Sequence, residues 1–128
     1  MARIQNTMRE AAALLKMAEM ASFAPTASSY AANEDPLYES KVVPIANVQP
    51  IERAPGVANF GEQRALAILA AIRSNVPLPP VRVQASVVLR EPYKYKLHDG
   101  FHRFHLSLAL GFTHLPVAIM LPLDESAI

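Results

Sequence analysis

Residues 97–111, Leu-His-Asp-Gly-Phe-His-Arg-Phe-His-Leu-Ser-Leu-Ala-Leu-Gly, constrain the fold more than any other stretch of the chain. A lysine-rich strand from Tyr93 to Leu97 runs into Asp99-Gly100. A helix then opens with His102 and Arg103 in its first turn and closes at Gly111. A second apolar strand, Leu115 to Met120, follows. Such a strand, glycine turn and basic helix start form an anion pocket, because the first helical amides are unpaired and the helix dipole adds partial positive charge. Arg103 adds a planar fork of donors suited to phosphate. A cation in a first turn opposes the dipole, a placement that makes sense with an anion between the two. The plainer alternative, a surface ion pair, would contribute little.

The other segments are read from spacing and breakers. Residues 4–21 have the pattern of an amphipathic helix, with Ile4, Met8, Ala11, Leu15 and Ala18 on one stripe and Leu14 and Met17 widening it. Pro25 stops it, and the small polar stretch 26–35 reads as a linker. The helix either packs on its own domain or docks a partner or a second copy of the chain. The expected division is therefore an N-terminal helix and linker over 1–38 and a compact domain over 39–128. Within the latter, Lys41 to Ile45 reads as a short edge strand broken by Pro44. A helix is expected from Gly61-Glu62 through Ser74, with Leu66, Leu69 and Ile72 as its apolar stripe. Val81 to Leu89 reads as a strand with Val81, Val83, Ala85 and Val87 on one face, and Tyr93 to Leu97 is expected to pair back antiparallel to it.

Composition sets limits. Apolar residues make up 52% of the 128, enough for one real core. The net charge of +1 argues against a broad basic coat for nucleic acid, leaving weak, local, non-specific contact as an option. There is no cysteine, which excludes disulfide scaffolds, zinc ribbons and thiol nucleophiles. Charged residues interrupt the apolar-leaning N-terminus, so no membrane partner is expected and the protein reads as soluble and cytoplasmic.

The order of parts resembles the ParB/sulfiredoxin superfamily over roughly residues 41–120. The specific residues are Asp99-Gly100-Phe101-His102-Arg103, then Ala109-Leu110-Gly111 and Leu115-Pro116-Val117. Val42, Pro44, Ile45 and Gln49-Pro50 support it, as does Pro79-Pro80-Val81-Arg82-Val83. The resemblance implies an α+β fold, a small mixed β-sheet flanked by helices, here with an N-terminal helical extension. It also implies a nucleotide of the ATP or CTP class, with or without magnesium, at the glycine turn. Gly100, His102 and Arg103 match the phosphate-binding positions, with the amides of Phe101 and His102 pointing at the anion. Glycine lets backbone approach an anion closely, there being no Cβ in the way.

Departures from the family narrow the function. Sulfiredoxins carry a cysteine where Phe101 stands, so a sulfinic-acid reductase is ruled out. Partition-type ParB proteins carry Gly-Glu-Arg-Arg at this turn and a later helix-turn-helix, for which this chain leaves no room; specific centromere-site binding is not expected. Some stand-alone members resemble free-serine kinases or nucleases and use an acidic residue after the first strand. Glu52 is the nearest match here and Glu62 the second. A phosphoryl-transfer enzyme, NTPase or nuclease would use Glu52 or Asp99 as base, with His102 as a phosphate donor or proton shuttle and Arg103 as counter-charge. Asp99 alternatively caps the helix. A non-catalytic interaction module, working through residues 4–21, is the third reading. No metal site is expected, because Asp99-Gly100 breaks the helix on which His98, His102 and His105 would share a face.

Overall fold

The computed structural model describes residues 2–51, 53, 57–85 and 88–120. In chain order the elements are α1 (Ala2–Met17), β1 (Glu39–Pro44), a 3-10 turn (Ile45–Asn47), β2 (Val48–Gln49), α2 (Glu62–Arg73), β3 (Val81–Gln84), β4 (Tyr95–Asp99), α3 (Phe101–Leu110) and β5 (His114–Met120). The five strands form one mixed sheet in the order β1-β5-β3-β4-β2. β1 runs antiparallel to β5, β3 parallel to β5, β3 antiparallel to β4, and β2 parallel to β4. The fold is α+β with a mixed sheet and helices against it, as the sequence led us to expect, and Pro44 does sit on an edge strand.

The helix ends share one device. Glu19, Asn75 and Gly111 all have positive φ, at 58°, 56° and 92°. At each, two backbone bonds fold the chain back: Met20 N–H to Leu15 O and Glu19 N–H to Lys16 O, Val76 N–H to Ala71 O and Asn75 N–H to Ile72 O, Phe112 N–H to Ser107 O and Gly111 N–H to Leu108 O. These are Schellman closures, which satisfy carbonyls that the last turn leaves free. Gly111 announces its closure in the sequence. Glu19 does not, which is why α1 stops at Met17 and not at residue 21.

The core lies between the sheet and all three helices. Leu97 of β4, Val81 and Val83 of β3, and Leu115 and Val117 of β5 meet Leu69 of α2 and Leu106 of α3, each 1% exposed or less. α1 packs on α3 and α2, burying Thr7, Ala11, Leu14 and Leu15. The buried face is rotated from the expected stripe, leaving Met8 and Met17 exposed. β3 ends at Gln84, short of the expected Leu89; Ala85 is exposed and Val87 lies outside the described residues.

The stretch after Pro25 is tied down at several points. Ser28 O accepts from the amides of Thr113 and His114, and Leu78 exchanges backbone bonds with Ala31 and Asn33. The buried Tyr30 donates its hydroxyl to Pro79 O at 2.7 Å. Asp35 accepts from the amides of Leu37 and Tyr38 and from Arg82.

Candidate functional site

The junction of β4 and α3 is built around Gly100. Its φ of +115° lies in the left-handed region that glycine enters freely. A Cβ there would stand 2.6 Å from Val81 Cγ1 and 2.9 Å from Val81 Cβ. Backbone conformation and packing therefore both require glycine. Gly100 is the N-cap of α3 and no side chain caps that end. Asp99 is exposed and does not serve as the cap. Because Phe104 N–H bonds Gly100 O, the helix is closed from its first turn.

Arg103 is held and not loose. Its Nη1 donates to Pro79 O at 2.8 Å and Pro80 O at 2.9 Å. Two of the five guanidinium hydrogens are thereby used, leaving those on Nη2 and Nε. Nη2 lies beside Gly100, 3.2 Å from where a Cβ would stand. Pro79 O also accepts from Tyr30, so the buried hydroxyl and the guanidinium share one acceptor. Burial pushes the Tyr30 pKa up, a shift that the nearby Arg103 partly offsets.

His102 is engaged differently from a free phosphate donor. It is buried, and its Nε2 accepts from Gly61 N–H at 2.9 Å. An accepting Nε2 requires that nitrogen to be unprotonated. Burial first, then the positive fields of Arg53, Arg64 and Arg103, holds its pKa below the ordinary 6.5. The ring joins the N-cap of α2 to the first turn of α3.

These elements enclose a cleft of about 450 Å³. Its polar lining includes Arg53, Arg64, Arg103, His98, Asp99 and His102; Ile51, Ile68 and Leu78 supply apolar wall. Gly100, Phe101, His102, Arg103 and Asp99, singled out from the sequence, thus all border one space. Glu52 lies outside the described residues. Glu62 stands exposed at the start of α2 and does not line the cleft. The Phe101 side chain is buried, with the Arg53 guanidinium 4.4 Å from its centroid and the rings of Phe60 and His105 at 5.5 Å and 4.4 Å. Among the described residues no group of three or more histidines and carboxylates is placed to hold a metal ion.

Arg53 and Arg64 escaped the sequence reading. Arg64 carried the same signal as Arg103, a cation in the first turn of its helix. Arg53 sits in a proline- and glycine-containing loop, where no periodicity points a side chain anywhere.

No protein-family model matches the chain, and no curated protein does. The fold is similar to that of the C-terminally truncated chromosome-partitioning protein ParB from Caulobacter crescentus. In its complex with CTP-γ-S the identity is 23%, the TM-score 0.49, and the match covers 70% of this chain and 47% of that one. In its complex with the centromeric parS site the identity and TM-score are again 23% and 0.49, with 68% and 43% covered. The chain thus spans less than half the length of either. Among the described residues no helix is long and apolar enough to cross a membrane.

Proposed function

We propose that the cleft at the β4–α3 junction binds the phosphate groups of a nucleotide, of the CTP or ATP class, in a regulatory domain that acts through a partner or a nucleic acid. The observation that carries this reading is the left-handed Gly100 with an uncapped helix start, facing a cleft that Arg53, Arg64 and Arg103 also line. Asp99 is the sole carboxylate among the described lining residues, so the local field favours an anion. The prolyl carbonyls fix the Arg103 guanidinium before any ligand arrives, which lowers the ordering cost of binding. The apolar wall of Ile51, Ile68 and Leu78 suits a sugar or base. In this reading His102 is a positioning residue, with Nε2 already committed to Gly61. Any acid–base step would fall to Glu52 or Asp99, of which Asp99 lines the cleft. Contact with nucleic acid would be weak, because a net charge of +1 leaves few cations to neutralise phosphates.

Thermal unfolding with CTP, ATP, GTP and UTP, each with and without magnesium, tests the reading. A ligand of the native state raises Tm with its concentration. Arg64→Ala should weaken the response about tenfold or more, as expected for loss of one charge-assisted phosphate contact. A chain whose Tm ignores every nucleotide, or an Arg64→Ala variant that responds like the parent, removes the proposal.

A further inference from the structure

Adjoining the cleft, and sharing Phe101 with it, is a second concavity, larger and mainly apolar, lined by α1 and α3. We propose that this groove binds an amphipathic carboxylate, an acyl or aryl acid whose apolar body fills the groove and whose head meets Arg53 and His105. The groove measures about 990 Å³, within the range of small-molecule sites. Met8 and Leu15 of α1, Phe104 and Leu108 of α3, Ile45 and Tyr93 form its walls. Met8 is 65% and Leu108 47% exposed, so apolar surface is left uncovered along the rim.

The choice of ligand rests on two nitrogens. Arg53 Nε and His105 Nε2 are buried, and neither has a hydrogen-bond partner. Both side chains line the groove and both lie against the Phe101 ring, each 4.4 Å from its centroid. Among the described residues, no carboxylate stands within ion-pair distance of Arg53. Buried polar atoms without partners are costly and native folds rarely keep them. Neither nitrogen has open surface in the groove, so the head reaches them by a side-chain shift of Arg53 and His105, after which a carboxylate oxygen accepts from the guanidinium and from the imidazole N–H. A cation would be repelled, and a neutral hydrocarbon would leave both nitrogens unsatisfied. The apolar walls exclude a free inorganic anion as the natural occupant, since nothing would cover them. The inference stands apart from the nucleotide reading: the two spaces share Arg53, Phe101 and Ile51, but Arg103 and Arg64 do not line the groove.

Decanoate titrated into the full chain, followed by calorimetry and thermal unfolding, tests the inference. Decan-1-ol, of the same chain length without the charge, is the control. Decanoate should bind and raise Tm, with decan-1-ol about tenfold weaker or more, the difference expected for a charge-assisted head contact. Ala109→Trp places a large ring in the groove from the exposed face of α3 and should abolish binding; Ala12→Trp does so from α1, should the first variant fold poorly. His105→Phe should weaken decanoate and leave decan-1-ol unchanged. Arg103→Ala should leave decanoate binding intact even where nucleotide binding is lost, which separates failure of one proposal from failure of the other. The inference is overturned by an absence of decanoate binding, by equal affinity for the alcohol, or by Ala109→Trp and Ala12→Trp variants that bind as the parent does. It is equally overturned if sedimentation finds a dimer that Ala109→Trp dissolves and decanoate leaves untouched, since the groove would then belong to a second copy of the chain.

Discussion

The cleft and the groove meet at Phe101, and they solve opposite problems with neighbouring residues. At the cleft, three polar groups are already assigned: Arg103 to two prolyl carbonyls, His102 to the Gly61 amide, the Tyr30 hydroxyl to Pro79. By contrast, Arg53, which lines both spaces, and His105, which lines the groove, each keep a buried nitrogen, Nε and Nε2, with nothing to bond. One side is built in advance, and what remains free there is net positive charge. The other side is apolar, and what remains free is a pair of specific atoms. A preassembled charged corner suits a ligand recognised by its charge. An apolar trough with orphan nitrogens suits one recognised by shape, with a single polar end.

The largest expected effect tests how rigidly the cleft corner is set. Gly100→Ala must hold an alanine at φ +115° and force its Cβ to 2.6 Å from Val81 Cγ1. Left-handed backbone costs a non-glycine residue roughly 1–2 kcal/mol, and an overpacked methyl about 1–3 more. A loss of about 2–5 kcal/mol in urea unfolding is expected. Gly111→Ala is the control. Its φ is +92°, but its Cβ would meet Pro25 Cδ at an ordinary 3.8 Å. Only the conformational part, about 1–2 kcal/mol, should appear there. If the two variants are equally stable, Val81 yields and the corner is softer than the contact implies.

A smaller effect should separate positioning from ligand contact. His102→Ala takes the acceptor from the Gly61 amide, and because Gly61 is exposed and water can replace it, the lost bond is worth about 0.5–1.5 kcal/mol. His102→Gln places a side-chain carbonyl near the position of Nε2 and should recover part of that stability, with nucleotide response recovering alongside it. Should His102→Gln restore stability but no nucleotide response, His102 touches the ligand directly, and the description of it as a joint between two helices is wrong.

Much of this architecture is legible in the residues themselves, and the exceptions have physical causes. α3 is bounded by Gly100 and Gly111, and both ends are as expected because each glycine sits at positive φ. Helix α2 is nearly as clear, ending at Arg73 ahead of Asn75, whose short polar side chain tolerates the left-handed region. Glu19 adopts that conformation without any such preference, and so the end of α1 is invisible in advance. The rotated face of α1 has a similar cause. Methionine reads as apolar and therefore inward, but Thr7 takes an inward position and Met8 lies on the groove rim. In the cleft, the glycine turn and Arg103 are local and can be read from spacing. The prolyl carbonyls that clamp Arg103, the Tyr30 hydroxyl that shares one of them, and the Gly61 amide on His102 are contacts between segments far apart in sequence. No local pattern encodes them, since nothing in a residue's neighbours states which distant backbone it will meet.

Protonation offers the mildest test, and it reads both sides of Phe101 at once. Burial first, and then the fields of Arg53 and His102, lowers the His105 pKa to about 4. Burial and three arginines lower that of His102 as well. For both rings the folded pKa lies below the ordinary 6.5, so the unfolded chain takes up protons first as pH falls. Stability should therefore be full above pH 6.5 and decline from there toward pH 4, with Asp35, whose pKa is also lowered, adding its loss only at the acid end. His105→Phe removes the groove-side contribution and should flatten the urea midpoint between pH 6.5 and about 4, leaving the residual slope from His102. A bound carboxylate would stabilise the protonated His105 ring and flatten the parent's slope in the same interval, as the His105→Phe change does, while a nucleotide in the cleft should act on the His102 residue of that slope. A parent whose midpoint is level across the interval holds both rings open to water, and the contrast between a satisfied cleft and an unsatisfied groove would then have no basis in burial.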